Sequence, residues 1–359
     1  MVSRNAPFAH KLVGSAAIAL QIGVFAAARA SSTSFAGPAP AASQPNSNAR
    51  VLIAKRDDAT TALNPNPAAV RELVNLAISR FEKKPDAASA WRALVKSNDV
   101  VGVKVFSSPG ANSGTRPSVV AAIVEGLLAA GTPSSNIVVW DKRLSDLRNS
   151  GFADLGKQYN IRVEGASEQG YDDDASYTNS IMNTLVYGDH EFGKKGEGIG
   201  RRSFVSNIVT REVTKIICVS PLLNHNIAGV TGCLASVALG SVDNTMRFEG
   251  DLDRLAVSIP EIYAMEQVGD KVVLNIIDAL LCQYEGERQS LLHYSTALNE
   301  IWISLDPVEL DVMCIQELNR QREASGLPAP KSPLEIYKNA SALELGDSDP
   351  RDAKLELVK

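Results

Sequence analysis

His225 stands in the run P-L-L-N-H-N-I-A-G-V-T-G, flanked by asparagines and followed by a glycine-bounded turn. An imidazole so placed can ligate a metal or exchange a proton near neutral pH. A turn histidine bonded to backbone carbonyls is the plainer alternative. The apolar run Lys215 to Val219 leads in, and a small-residue segment able to form a helix follows from Cys233. Strand, polar turn, helix is where α/β proteins put ligands. Gly229, Thr231 and Gly232 frame the turn and are candidate ligand contacts. Glu249, further along, is either a carboxylate for the same metal or a solvated loop residue.

A second set of groups sits at the ends of apolar runs. Lys104 lies inside D-V-V-G-V-K-V-F, where a charged amine needs a partner or a ligand. Strand side chains alternate, so Val103 and Val105 face one way and Lys104 the other. Asp141 closes N-I-V-V-W-D. Lys104 and Asp141 make an ion pair on the plain reading; on the functional one Lys104 holds a substrate carboxylate or phosphate, with Asp141 close by and Thr115 and loop N–H groups assisting. Asp278 interrupts the apolar run Lys271 to Leu281 and is a candidate acid, since an unpartnered buried carboxylate is costly. Should these carboxylates converge with His225 and Glu249, the oxygen-rich set would suit magnesium, manganese or calcium as a divalent metal.

The elements that must position these groups follow from periodicity. Val51 to Ala54 reads as a strand, and Asn66-Pro67 opens a helix with Val70, Leu73, Val74, Ala77, Ile78 and Phe81 on one face. Asp99 to Phe106, a helix from Pro117 to Gly131, and Ile137 to Trp140 form a βαβ unit with a right-handed crossover. Ile301 to Leu305 is a late strand, Asp306-Pro307 starts a helix, and the tail from Pro333 to Leu345 reads as a last helix. The expected fold is α/β, a mostly parallel sheet with flanking helices. A loop and hairpin insertion over 152–205 would separate lobes 50–151 and 206–359 of one domain.

Residues 1–30 carry Arg4 and Lys11, an apolar run, and Ala28-Arg29-Ala30, the pattern of a secretory signal peptide; 31–49 is a Ser, Ala and Pro-rich tether. Export to the periplasm or medium is expected, with no stable membrane span once the leader is gone. Losing the leader takes the formal charge from -5 to -8. No basic stripe for nucleic acid is visible, and a small anionic molecule is the expected partner. The four cysteines have neither metal spacing nor a C-x-x-C and read as buried thiols rather than disulfides.

V-G-V-K-V followed by T-R-P, N-I-V-V-W-D, N-H-N-I-A-G-V-T-G, V-V-L-N-I-I-D-A-L and S-L-D-P-V-E-L-D occur in an order that resembles the bacterial family catalogued as domain of unknown function 362. Its members are often exported and have no agreed activity. The resemblance implies a Lys-Asn pair where this chain has Ala235 and Ser236, and a closing histidine where it has Glu249. It also implies asparagine at Phe106 and lysine at Leu223. A more distant similarity is to the nickel-dependent lactate racemases, in which a lysine anchors a nickel-pincer cofactor; Ala235 cannot make that link, so this cofactor is not expected. Two functions follow: a metal-assisted enzyme acting on a small anion, or a non-catalytic binding or accessory protein that has lost the family's reactive groups.

Overall fold

The computed structural model describes residues 50–328, 334–349 and 354–359; the expected leader and tether lie outside the described residues. In β1 (Arg50–Lys55), Leu52 and Ala54 face one core while Val51 and Ile53 face another, the period-two pattern of a strand covered on both sides. A two-residue ladder of β2 (Thr60–Thr61) with β3 (Asn64–Pro65) leads to α1 (Pro67–Phe81). Proline opens α1 as expected, but the Asn66 side chain makes no capping bond. Asp86 does cap α2 (Ala87–Leu94), accepting from the Ser89 N–H. Then come β4 (Val101–Val105), α3 (Pro117–Ala129) and β5 (Ile137–Asp141), the βαβ unit anticipated from periodicity.

The segment expected to be an insertion divides into two kinds of structure. Its first part, after α4 (Leu144–Asn149), forms α5 (Phe152–Tyr159) and β6 (Arg162–Gly165); β6 pairs in parallel with β5 and belongs to the main sheet. After α6 (Ala166–Gln169), only β7 (Tyr171–Thr178) and β8 (Arg202–Ser206) form a separate hairpin, joined by a long loop over 179–201. The apolar anchors Phe152 and Leu155 explain the difference, since both are buried under the sheet.

β9 (Lys215–His225) is longer than the expected run and ends on His225, which therefore closes a strand instead of standing in a turn. Pro221 suggests a stop because it lacks an N–H, yet the strand passes through it at a bulge. The register against the next strand jumps between Pro221 and Leu222, where no donor is needed. A return of β10 (Gly229–Val230) against β9 leads to α7 (Cys233–Ser241), α8 (Met246–Glu249) and α9 (Leu252–Tyr263). The remaining elements are β11 (Val272–Gln283), β12 (Ser295–Ser304), α10 (Pro307–Ala324), α11 (Leu334–Ala342) and β13 (Lys354–Val358). β13 was not anticipated.

The main sheet runs β13-β1-β12-β11-β9-β4-β5-β6, with β10 appended to β9. It is mostly parallel; β12 is antiparallel to both its neighbours. α1, α2, α3 and α5 cover one face through residues such as Leu73, Trp91, Ile123 and Phe152. Residues of α7, α9, α10 and α11, among them Val237, Ile259, Ile315 and Tyr337, cover the other. Each fully buried aliphatic or aromatic side chain in these layers contributes about 1.5–3 kcal/mol. All four cysteines are buried with free thiols, and burial raises those of Cys233, Cys282 and Cys314 well above the usual range. No helix among the described residues is long and apolar enough to cross a membrane.

Candidate functional site

Three parallel strands, β4, β5 and β9, deliver Lys104, Asp141 and His225 to one end of the sheet, the carboxyl edge where α/β proteins bind ligands. A cavity of about 150 Å³ opens there, roughly the room that a benzene-sized molecule fills. Its wall includes Lys104, Asp141, His225, Thr231 and Glu249 from the expected set. It also includes Lys142, Arg143, Asp146, Thr245 and Arg288, which the sequence reading passed over.

Alternation along β4 turns Lys104 away from the face that Val103 and Val105 share and towards α7. Its ammonium donates to Asp141 Oδ1 (2.9 Å), the Val105 carbonyl (2.6 Å) and Ser236 Oγ (3.2 Å). Three protons meet three acceptors, so Lys104 has none left for a ligand. The anchor role expected of it gives way to the plainer ion pair. Asp141 also accepts from the Ser107 N–H and hydroxyl and the Lys142 N–H. Burial alone would raise its carboxyl, but the Lys104 charge and these bonds outweigh burial and hold it below the usual range. The packing is close: a Cβ on Gly240 of α7 would lie 2.2 Å from Lys104 Cε.

His225 Nδ1 accepts from the backbone N–H groups of Ile227 (3.2 Å) and Ala228 (3.0 Å). With two donors aimed at it, Nδ1 carries the lone pair and the proton resides on Nε2, 3.7 Å from Glu287. Burial, only partly offset by Glu287, pushes the imidazole pKa down. A neutral ring with an Nε2–H is a hydrogen-bond donor, not a ready metal ligand. Glu249 is likewise occupied: it accepts from Thr245 Oγ1 and, at 2.8 Å, from Arg288. Burial would raise its carboxyl, yet Lys142 and Arg288 together hold it low. Among the described residues no group of three or more His, Cys, Asp or Glu side chains gathers as a metal site. The donors present do not fit the divalent metal expected at His225 and Glu249.

Four other expected residues hold the frame. Asp278 is closed to solvent and receives both the Arg116 N–H and its guanidinium at 2.9 Å, outside the cavity wall. It is the buried half of an ion pair, not a catalytic acid. Thr115 accepts from the Phe106 N–H and donates to the Val219 carbonyl, tying the β4 loop to β9. Gly232, with φ +55°, lets Asp311 accept the first N–H groups of α7, from Cys233 (2.7 Å) and Leu234 (3.0 Å). Gly229 pairs with His225 in the β9–β10 ladder.

Lys142 is the residue the sequence reading missed. Among the described residues its ammonium has no carboxylate within ion-pair distance and donates to Thr245 Oγ1, which donates to Glu249. Burial pushes its pKa down, against the charges of Glu249, Asp189 and Asp243. The available signal was its place one residue past a strand-ending aspartate. Four cations and four carboxylates line the cavity, but most carboxylates are spent: Asp141 on Lys104, Glu249 on Arg288, Asp189 on the N–H groups of Val186 and Asn244. Lys142, Arg143 and the remaining donors of Arg288 are left against Asp146, whose carboxyl burial and the Asp141 charge push up.

A family profile described as domain of unknown function (DUF362) matches residues 101–316, more than half the chain, and the chain belongs to that family. The matched span runs from β4 into α10 and contains every cavity residue named above. No curated protein matches. Among solved structures, a crystal structure of a Thermotoga maritima protein is similar with a TM-score of 0.41 at 10% identity, over 73% of this chain. The match spans 60% of that protein's length.

Proposed function

We propose that the chain is an enzyme that moves a proton on a small anionic molecule. Arg288 and the Nε2–H of His225 hold the anion, and Lys142 gives and takes the proton. The observation that carries this reading is the Lys142–Thr245–Glu249 relay, an amine at a cavity wall without an ion-pair partner among the described residues, linked through one hydroxyl to a carboxylate. Burial pushes the Lys142 pKa down from the ordinary amine range, towards the free-amine form a general base needs. Thr245 offers a path for the proton to Glu249. No step is assigned to a metal, because Glu249 and His225 are committed elsewhere.

The test uses short hydroxy, oxo and phospho acids in deuterated buffer, with binding and solvent-deuterium incorporation followed by NMR. Lys142→Met should keep binding within a few-fold and lose incorporation; Arg288→Met should weaken binding. Incorporation that survives Lys142→Met would refute the reading. A second reading, an accessory binding protein, draws on Ala235 and Ser236. Both face the cavity, one with a methyl and the other with its hydroxyl taken by Lys104. Binding without incorporation in the native chain would favour it. Export remains part of the proposal, and N-terminal sequencing of mature protein tests cleavage after Ala30.

A further inference from the structure

The cavity is too small for a long ligand, yet its mouth is unusually apolar. Val186, Tyr187 and Met246 line the cavity while remaining 40%, 91% and 53% exposed. Phe192, 50% exposed, extends this strip, its ring 5.9 Å from that of Tyr187 and nearly perpendicular. Phe106 and Leu239 continue the apolar surface inward along the wall. The strip is held in place: Asn183 donates to the Met246 carbonyl, Asp189 accepts from Val186 and Asn244, and Asn244 donates to the carbonyls of Gly200 and Arg202. Large apolar side chains on a pinned loop, continuous with a polar pocket, mark a surface that meets an apolar ligand group.

Resting on the anion reading above, we propose that the ligand is an amphiphilic carboxylate: its head lies among Lys142, Arg288 and His225, and its hydrocarbon chain runs out over Leu239, Met246 and Tyr187. Lys142 and the remaining Arg288 donors inside and the apolar strip outside match the two ends of such a molecule. The head and its first few carbons fill the cavity, so the rest of the tail has to lie on the strip. Met246 and Tyr187, both more than half exposed, serve as its floor and side.

Titration calorimetry of the purified full-length chain with straight-chain carboxylates of increasing length, each below its micelle concentration, tests this beside alkanols of equal length. Affinity should rise about two- to fourfold per methylene until the strip is covered. The double variant Tyr187→Ala/Met246→Ala should flatten that rise while leaving the shortest acid unchanged, and Lys142→Met with Arg288→Met should weaken all acids by a similar factor. Carboxylates that bind with no dependence on length would overturn the amphiphile and leave the anion reading standing. Alkanols that bind as well as the acids would overturn the anion reading, and the amphiphilic carboxylate with it. Self-association in the ultracentrifuge that the double variant abolishes would assign the strip to a second copy and overturn the proposal.

Discussion

Replacing Lys104 by methionine keeps a stem of similar length beside Trp140 and removes the ammonium 2.9 Å from Asp141. The two side chains are 1% and 8% exposed, so water cannot replace the lost charge. Removing one member of a buried pair costs about 3–5 kcal/mol, because the other charge stays behind. Asp141 keeps the Ser107 N–H at 2.8 Å, the Ser107 hydroxyl at 2.7 Å and the Lys142 N–H at 2.8 Å. Those donors put the expected loss at the lower end, about 3 kcal/mol near neutral pH. The native Asp141 pKa is depressed, so its contribution is complete above the unfolded value and disappears as pH falls through the folded one. In the variant, burial without Lys104 raises the folded pKa, and protonation then relieves the cost. Urea unfolding at about pH 7 and about pH 5 should show the deficit shrinking on the acid side. The double variant Lys104→Met/Asp141→Asn should recover more than half of it. A deficit under about 1 kcal/mol, or one equal at both pH values, would refute the argument that charge, rather than stem packing, governs this site.

Arg116→Met should cost about 3–5 kcal/mol by stranding Asp278, while ligand affinity by calorimetry stays unchanged because neither group lines the cavity. Gly232→Ala puts a Cβ 2.3 Å from Asp311 Oδ2 at a φ of +55°; it should lose about 3 kcal/mol in urea and weaken ligand binding as α7 shifts. Burial pushes Asp311 up to about 7 against its two N–H bonds, so the native state keeps a proton that the unfolded chain releases. Stability from this group should therefore fall as pH rises from about 4 through about 7. Asp311→Asn should flatten that limb in thermal melts, and a limb unchanged in the variant would count against the assignment. His225, with its depressed pKa, acts in the opposite sense, which is why the comparison is made between variant and native chain at each pH.

The βαβ unit was legible because Val101, Val103 and Val105 alternate and α3 shows a clean helical stripe. Local pattern and tertiary packing agree there. β9 was read short because Pro221 and the polar Asn224 and His225 look like a stop, whereas pairing with both β11 and β10 carries the strand through. β13 went unread because K-L-E-L-V has the sparse alternation of an edge strand, which only its partner β1 makes persuasive. Within the site, strand ends marked Lys104 and Asp141 as neighbours, but their gathering with His225 and Glu249 around one cavity could not be read from spacing. Nor could their commitments, since which proton meets which acceptor depends on α7 and α8 folding back over those ends. The same dependence hid Lys142, whose distinction is that, among the described residues, no carboxylate lies within ion-pair distance of its ammonium.

β1 sits between β12 and β13, pairing Leu52 with Ile303 and Val51 with Leu355. Its partners lie about 250 and about 300 residues downstream. At ~5–20 residues per second of synthesis, the first strand waits tens of seconds for either edge to be covered. Contacts this distant in sequence also slow folding after release, since loop closure precedes any gain from pairing. A nascent chain halted before Ser295 leaves R-V-L-I-A-K without either neighbour, so it must be sheltered by a holding chaperone or be exposed to aggregation.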